Sequence, residues 1–77
     1  MDTALLEAEQ MRLRASKDAT NAQLTFAAAR LSRAQELQSD GFTSQETLDQ
    51  AVATRNELVS RIAEIDAALS TVAINLE

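Results

Sequence analysis

Groups able to do covalent or acid–base chemistry are scarce in this chain of 77 residues. It has no His and no Cys. Serine or cysteine triads and Cys/His zinc sites are therefore excluded, because their base, nucleophile or ligands are missing. The remaining candidates are carboxylate pairs, which could act as general acid and base or hold a metal. Glu7/Glu9 and Glu64/Asp66 are such pairs. Each pair is two residues apart, however, and on a helix that spacing makes the side chains diverge. They read as solvated face. No glycine-rich phosphate loop occurs, since Gly41 is the only glycine. The expectation is a non-enzyme without cofactor or metal, shaped as a rod with no concave pocket for substrate or cargo.

The elements that carry these side chains follow from what interrupts the chain and what does not. Proline is absent. Residues 2–38 and 44–77 contain neither Gly nor Pro and are rich in Ala, Leu, Glu, Gln and Arg, all good helix formers. The spacing predicts a helix over about 3–38, a turn over 39–43 and a helix over about 44–76. Gly41 is the left-handed residue expected to end the first helix, with Phe42 folding back on Leu37. Ser44 is the favoured cap of the second helix. Thr43 with Glu46 is the alternative, as a capping box, and Asp2–Thr3 can cap the first helix.

Apolar periodicity then fixes the faces. Leu48, Ala51, Arg55, Leu58, Ile62, Ile65, Leu69, Val72 and Leu76 are spaced 3-4 throughout, a heptad seam broken only by Arg55. Arg55 is expected to snorkel outward or to pair with an acidic neighbour. The first helix has two stripes. One is Leu6, Gln10, Leu13, Lys17, Thr20, Leu24, Ala27, Leu31, Ala34 and Gln38. The other is Ala8, Met11, Ala15, Ala19, Ala22, Phe26, Ala29 and Arg33, offset by two residues and so nearly opposite. One stripe can meet the second helix. A short turn between heptad helices makes them antiparallel, each about 50 Å long at ~1.5 Å per residue. The fold class is all-α: two long antiparallel helices in a coiled-coil hairpin, residues 1–77 forming a single unit.

A single seam is a thin core for a chain of this size, so the isolated hairpin is expected to self-associate through the Ala8–Ala29 stripe. The formal net charge is −5, which argues against nucleic-acid and anionic-membrane partners. No apolar run reaches the roughly 18 residues of a membrane span. With two aromatic residues, Phe26 and Phe42, there is no base-stacking surface either.

Around the turn, the stretch from Arg33 through Leu37, Gly41, Phe42 and Ser44 to Leu48 and Asp49 resembles the hairpin tip of periplasmic adaptor proteins. These are the membrane fusion proteins of tripartite efflux and type I secretion systems, of the AcrA/MexA and HlyD kinds. The family's tip pattern is Arg, three residues, Leu, six residues, Ser, which Arg33, Leu37 and Ser44 match. Met1-Asp2-Thr3 and Ala73-Ile74-Asn75-Leu76 are similar to the family's passages out of and back into a lipoyl domain. The resemblance covers the whole chain as a hairpin only, a piece of a larger adaptor with lipoyl and β-barrel domains. Met1 then stands in for a native residue, and Glu77 is native or appended.

The resemblance implies a periplasmic protein whose parent is anchored to the inner membrane. Its hairpin tip binds a TolC-like outer-membrane channel, neighbouring hairpins line up in a hexameric ring, and the inner-membrane transporter is met through other domains. Arg33, Leu37 and Ser44 would be the docking residues, flanked by the turn residues Gly41 and Phe42. Ala8, Ala15, Ala22 and Ala29 would be lateral packing positions. Each docking residue also has a purely structural reading: Arg33 complementing the helix dipole, Leu37 packing on Phe42, Ser44 capping the second helix. For the alanine stripe the structural reading is an internal core. The competing function is a structural antiparallel coiled-coil spacer or dimerisation arm.

Overall fold

The structure, a computed structural model, describes residues 3–77. Two helices fill it: α1 over Ala4–Ser39 and α2 over Gln45–Leu76. They pack against each other as an all-α hairpin in a rod measuring 61 × 15 × 13 Å. α1 runs one residue further than expected, through Ser39.

The reason α1 stops is visible in the backbone. Gly41 has φ +80°, the left-handed region, with open space where a Cβ would sit. Glycine is required there for conformation and not for room. Around it, the Gly41 N–H donates to the Gln38 carbonyl at 3.0 Å and the Phe42 N–H to the Leu37 carbonyl at 2.7 Å. This is the complete Schellman pattern, which satisfies carbonyls the helix end leaves open. Its hydrophobic half is weak. The Phe42 side chain is 77% exposed and Leu37 45% exposed, so the expected fold-back is carried by backbone and not by ring packing.

Ser44 starts α2. Its backbone is extended (φ −86°, ψ 159°), and its Oγ accepts from the Thr47 N–H at 3.1 Å. The hydroxyl thus covers one of the free donors of the first turn. The Thr43–Glu46 capping box does not form. At the other end, Thr3 makes no side-chain cap; its hydroxyl donates to the Glu7 carboxylate instead, at 3.3 Å. The cap expected from Thr3 is therefore absent. Asp2, the other candidate, lies outside the described residues, as does Met1.

The helices bury the expected stripes. Every member of the α2 seam from Leu48 to Leu76 is buried or half-buried, and so is every member of the Leu6–Gln38 stripe of α1. Polar members of the α1 stripe find partners. Thr20 is buried, and its hydroxyl donates to the Ser16 carbonyl at 2.8 Å. Lys17 reaches across to Asp66 at 2.6 Å. The Gln38 amide donates to the Gln45 side-chain oxygen. In both cross-helix pairs the two residue numbers sum to 83, which sets the register of the whole hairpin.

That register brings unlike halves together. Toward the chain termini Leu13, Ile65 and Val72 form a core with Leu6, Leu69 and Leu76 packed on it. Toward the turn the buried positions are Ala27, Leu31, Ala34 and Leu58, two of them only methyl groups.

Arg55 is the exception the pattern foretold. By the register it lies opposite position 28, between Ala27 and Leu31 of the α1 stripe. It is half-buried, and its Nε is buried without a hydrogen-bond partner. The expected pairing with an acidic neighbour does not occur. A buried donor left without a partner costs about 1–3 kcal/mol. Arg55→Leu should therefore stabilise the hairpin by about 1 kcal/mol or more, read as a higher denaturation midpoint at unchanged helicity. A lower midpoint would show that the guanidinium contributes packing that Leu cannot replace.

Candidate tip site and flanking groove

The three tip residues do not share one environment. Arg33 is exposed and makes no hydrogen bond or ion pair among the described residues. Nor does it complement the end of α1, because the last turn of that helix holds no basic residue. The dipole effect is confined to the terminal turn, so its structural reading for Arg33 is removed. Leu37 is half in solvent and leaves Phe42 exposed, so packing on Phe42 does not account for it. Ser44 is different. Its Oγ caps α2 and also lies 3.0 Å from the Thr47 hydroxyl. For Ser44 the structural reading holds.

Arg33 and Leu37 belong to a larger feature. A groove of about 1020 Å³ runs along one side of the turn-proximal half, from Ala22 to Leu37 on α1 and from Thr43 to Leu58 on α2. The rod thus has a concavity that the sequence reading did not expect. Ala27, Ala34 and Ala51 line it. Their short side chains at seam positions leave space between the helices that leucines and isoleucines fill at the other end. Arg30 and Arg33 border the groove on α1, and Thr47, Gln50 and Thr54 on α2. Ser44 is not part of it.

Two groove residues, Phe26 and Arg30, were not singled out as functional from the sequence. The Phe26 ring is 62% exposed, and the Arg30 guanidinium carbon lies 6.0 Å from its centroid. That is the outer limit of a cation–π contact. The signal was present as an aromatic and a cation four residues apart, but its meaning depends on the alanines that the register gathers in this half of the rod.

The lateral stripe is open. Ala8, Ala15, Ala22 and Ala29 are all exposed, as are Met11 and Phe26 on the same stripe. The structure rules out an internal core role for these alanines within one hairpin. Glu9, at the far end of α1, is held below the ordinary carboxylate range by the hydrogen bond it accepts from Arg12. Both side chains are on the surface and remote from the groove. Among the described residues no group of His, Cys, Asp or Glu is placed to hold a metal ion. No described helix is long and apolar enough to cross a membrane.

Capping and any docking role of Ser44 can be separated by substitution. Ser44→Ala should lower stability by about 1 kcal/mol, whereas Ser44→Asp should keep it, since a carboxylate caps as well as a hydroxyl. Chemical denaturation of both variants checks this. An unchanged midpoint for Ser44→Ala would show that the Oγ–Thr47 bond contributes nothing.

Comparison of the chain with protein-family models, with curated proteins and with solved structures returned no match.

Proposed function

We propose that the hairpin is a non-catalytic docking and assembly module of a periplasmic adaptor. It would link an inner-membrane transporter to a TolC-like outer-membrane channel, with the turn end meeting the tip of the channel. The observation that carries this reading is Arg33. It sits at the family's spacing from Leu37 and Ser44, it is exposed, and it serves neither the helix dipole nor any ion pair among the described residues. A planar, multi-donor cation without an internal partner suits recognition of carbonyls or a carboxylate on another protein. Leu37, 45% exposed beside it, offers apolar contact. The backbone pattern at Gly41 and the Ser44 cap hold the two helix ends, so that these side chains are presented from rigid elements.

One observation favours the alternative of a structural spacer. Ser44 is fully accounted for as a helix cap, so the triad contains one residue that a plain hairpin would also keep. The readings separate at Arg33. Arg33→Asp, and Ser44→Arg at the turn, should abolish channel binding or export while circular dichroism shows helicity intact. Export that survives both substitutions would overturn the docking role.

Lateral assembly is part of the same proposal. The exposed Ala8, Ala15, Ala22 and Ala29 allow close approach of a neighbouring helix, with Met11 as a larger contact. In the isolated chain this stripe should drive self-association. Ultracentrifugation at micromolar concentration should find dimers or larger bundles, and Ala15→Glu with Ala22→Glu should return monomers. A strictly monomeric, fully helical parent hairpin would overturn it.

A further inference from the structure

The groove beside the turn has a charge that the rest of the molecule does not predict. Acidic residues outnumber basic ones 12 to 7 in the chain. Yet no Asp or Glu lines the groove, while Arg30 and Arg33 both do. Neither arginine has an ion pair among the described residues. Arg12, Lys17 and Arg61 each have a carboxylate, while Arg14 and Arg55, like the two groove arginines, have none among the described residues; neither of these lines the groove. The opposite border is uncharged, formed by Thr47, Gln50 and Thr54.

Shape restricts the occupant further. The groove follows both helices over the span from Ala22 to Leu37, about 22 Å at ~1.5 Å per residue, or roughly four helical turns. Alanines at seam spacing leave holes of the kind that side-chain knobs of a third helix fill. Phe26, mostly exposed on the α1 border, is an aromatic anchor without cover. A basic helix laid here would meet two guanidiniums of like charge, and an apolar one would leave both without counter-charge, so a carboxylate-bearing helix is favoured over either. The occupant must bring carboxylates, and only along the edge that faces α1.

We infer that this groove is a docking site for an amphipathic α-helix of a partner protein, about four turns long, with a small apolar stripe and carboxylates along one edge. The inference deepens the docking function proposed above, since Arg33 and Leu37 belong to both. It extends contact from the turn down the flank of the hairpin. The groove and its charge do not depend on the partner being a channel.

The test uses two synthetic four-turn helical peptides with the same alanine–leucine stripe, one carrying Glu and the other Lys along the same edge. Binding to the 77-residue chain is read by fluorescence anisotropy, with ultracentrifugation at the same concentrations. The Glu peptide should bind at least about tenfold more tightly than the Lys peptide. Arg30→Glu combined with Arg33→Glu should reverse that order. Thr54→Trp, which fills the groove from an exposed position, should weaken the Glu peptide by a similar factor at unchanged helicity. Equal binding of the two peptides, no binding, or Glu-peptide binding that survives the double reversal would overturn the inference. So would a groove closed by a second copy, seen as dimers that exclude the peptide. Loss of peptide binding with channel docking retained would sink the groove alone; the converse would sink the channel reading alone.

Discussion

Everything in this molecule depends on there being a single seam. Two helices can hide only one stripe each, and with no third element among the described residues most other apolar side chains face solvent. The seam therefore has to specify direction, register and face at once. It does so with few polar contacts: Lys17 to Asp66 near the middle and Gln38 to Gln45 beside the turn agree on one register. A one-residue slip would separate both pairs and move the large side chains of α2 off the α1 stripe. Thr20 shows how a polar residue is tolerated inside such a seam, by returning its hydroxyl to the carbonyl four residues back. Arg55 has no equivalent solution for its Nε.

The seam is also graded. Leucine, isoleucine and valine meet at the end where the termini lie, while toward the turn alanines take every second buried position of α1. Hydrophobic stabilisation scales with buried apolar area, at about 25 cal/mol per Å². The terminal half therefore holds the pair together more strongly, and the turn half holds it more loosely with space left beside it. At the loose end the chain is secured by means other than side-chain packing. Gly41 in the left-handed region, two backbone bonds that close the α1 carbonyls, and the Ser44 hydroxyl on the first turn of α2 constrain the turn. Rigidity at the turn thus comes from backbone and cap, which leaves the neighbouring side chains unengaged.

The parts legible in the sequence are those that depend on one helix at a time. A 3-4 spacing names a face without knowledge of what lies across it, and both named seams are the ones buried. Gly41 as terminator and Ser44 as cap are equally local, and both hold. What depended on two helices together was not legible. The groove arises because Ala27 and Ala34 share a half of the rod with Ala51, a coincidence of size that needs the register. The absence of a pocket, reasonable for a generic rod, fails at that place. Phe42 shows the other limit: the local motif forms in full through its backbone, while the ring stays in solvent because no residue across the turn covers it.

Arg33, Leu37 and Ser44 look alike as a spaced triple, but the structure divides them by what each still has free. Ser44 is committed to its helix: its hydroxyl already accepts from Thr47. Leu37 is partly committed, and Arg33 is not committed at all. Free energy available to a partner lies in groups whose interactions are unmade within the chain. In this hairpin many such groups gather around the turn: the Arg33 guanidinium, the exposed Phe42 ring, the open half of Leu37, and Arg30 with Phe26, which share only a contact at the outer limit of cation–π range. At the terminal end the core side chains are covered by one another, and the large apolar side chains exposed there, Leu5, Met11 and Ile74, include no aromatic ring. Recognition is therefore expected to begin at the turn and to spread along α1, where the unpaired charge and exposed aromatic surface continue, and not along the Thr47–Thr54 border, which has neither.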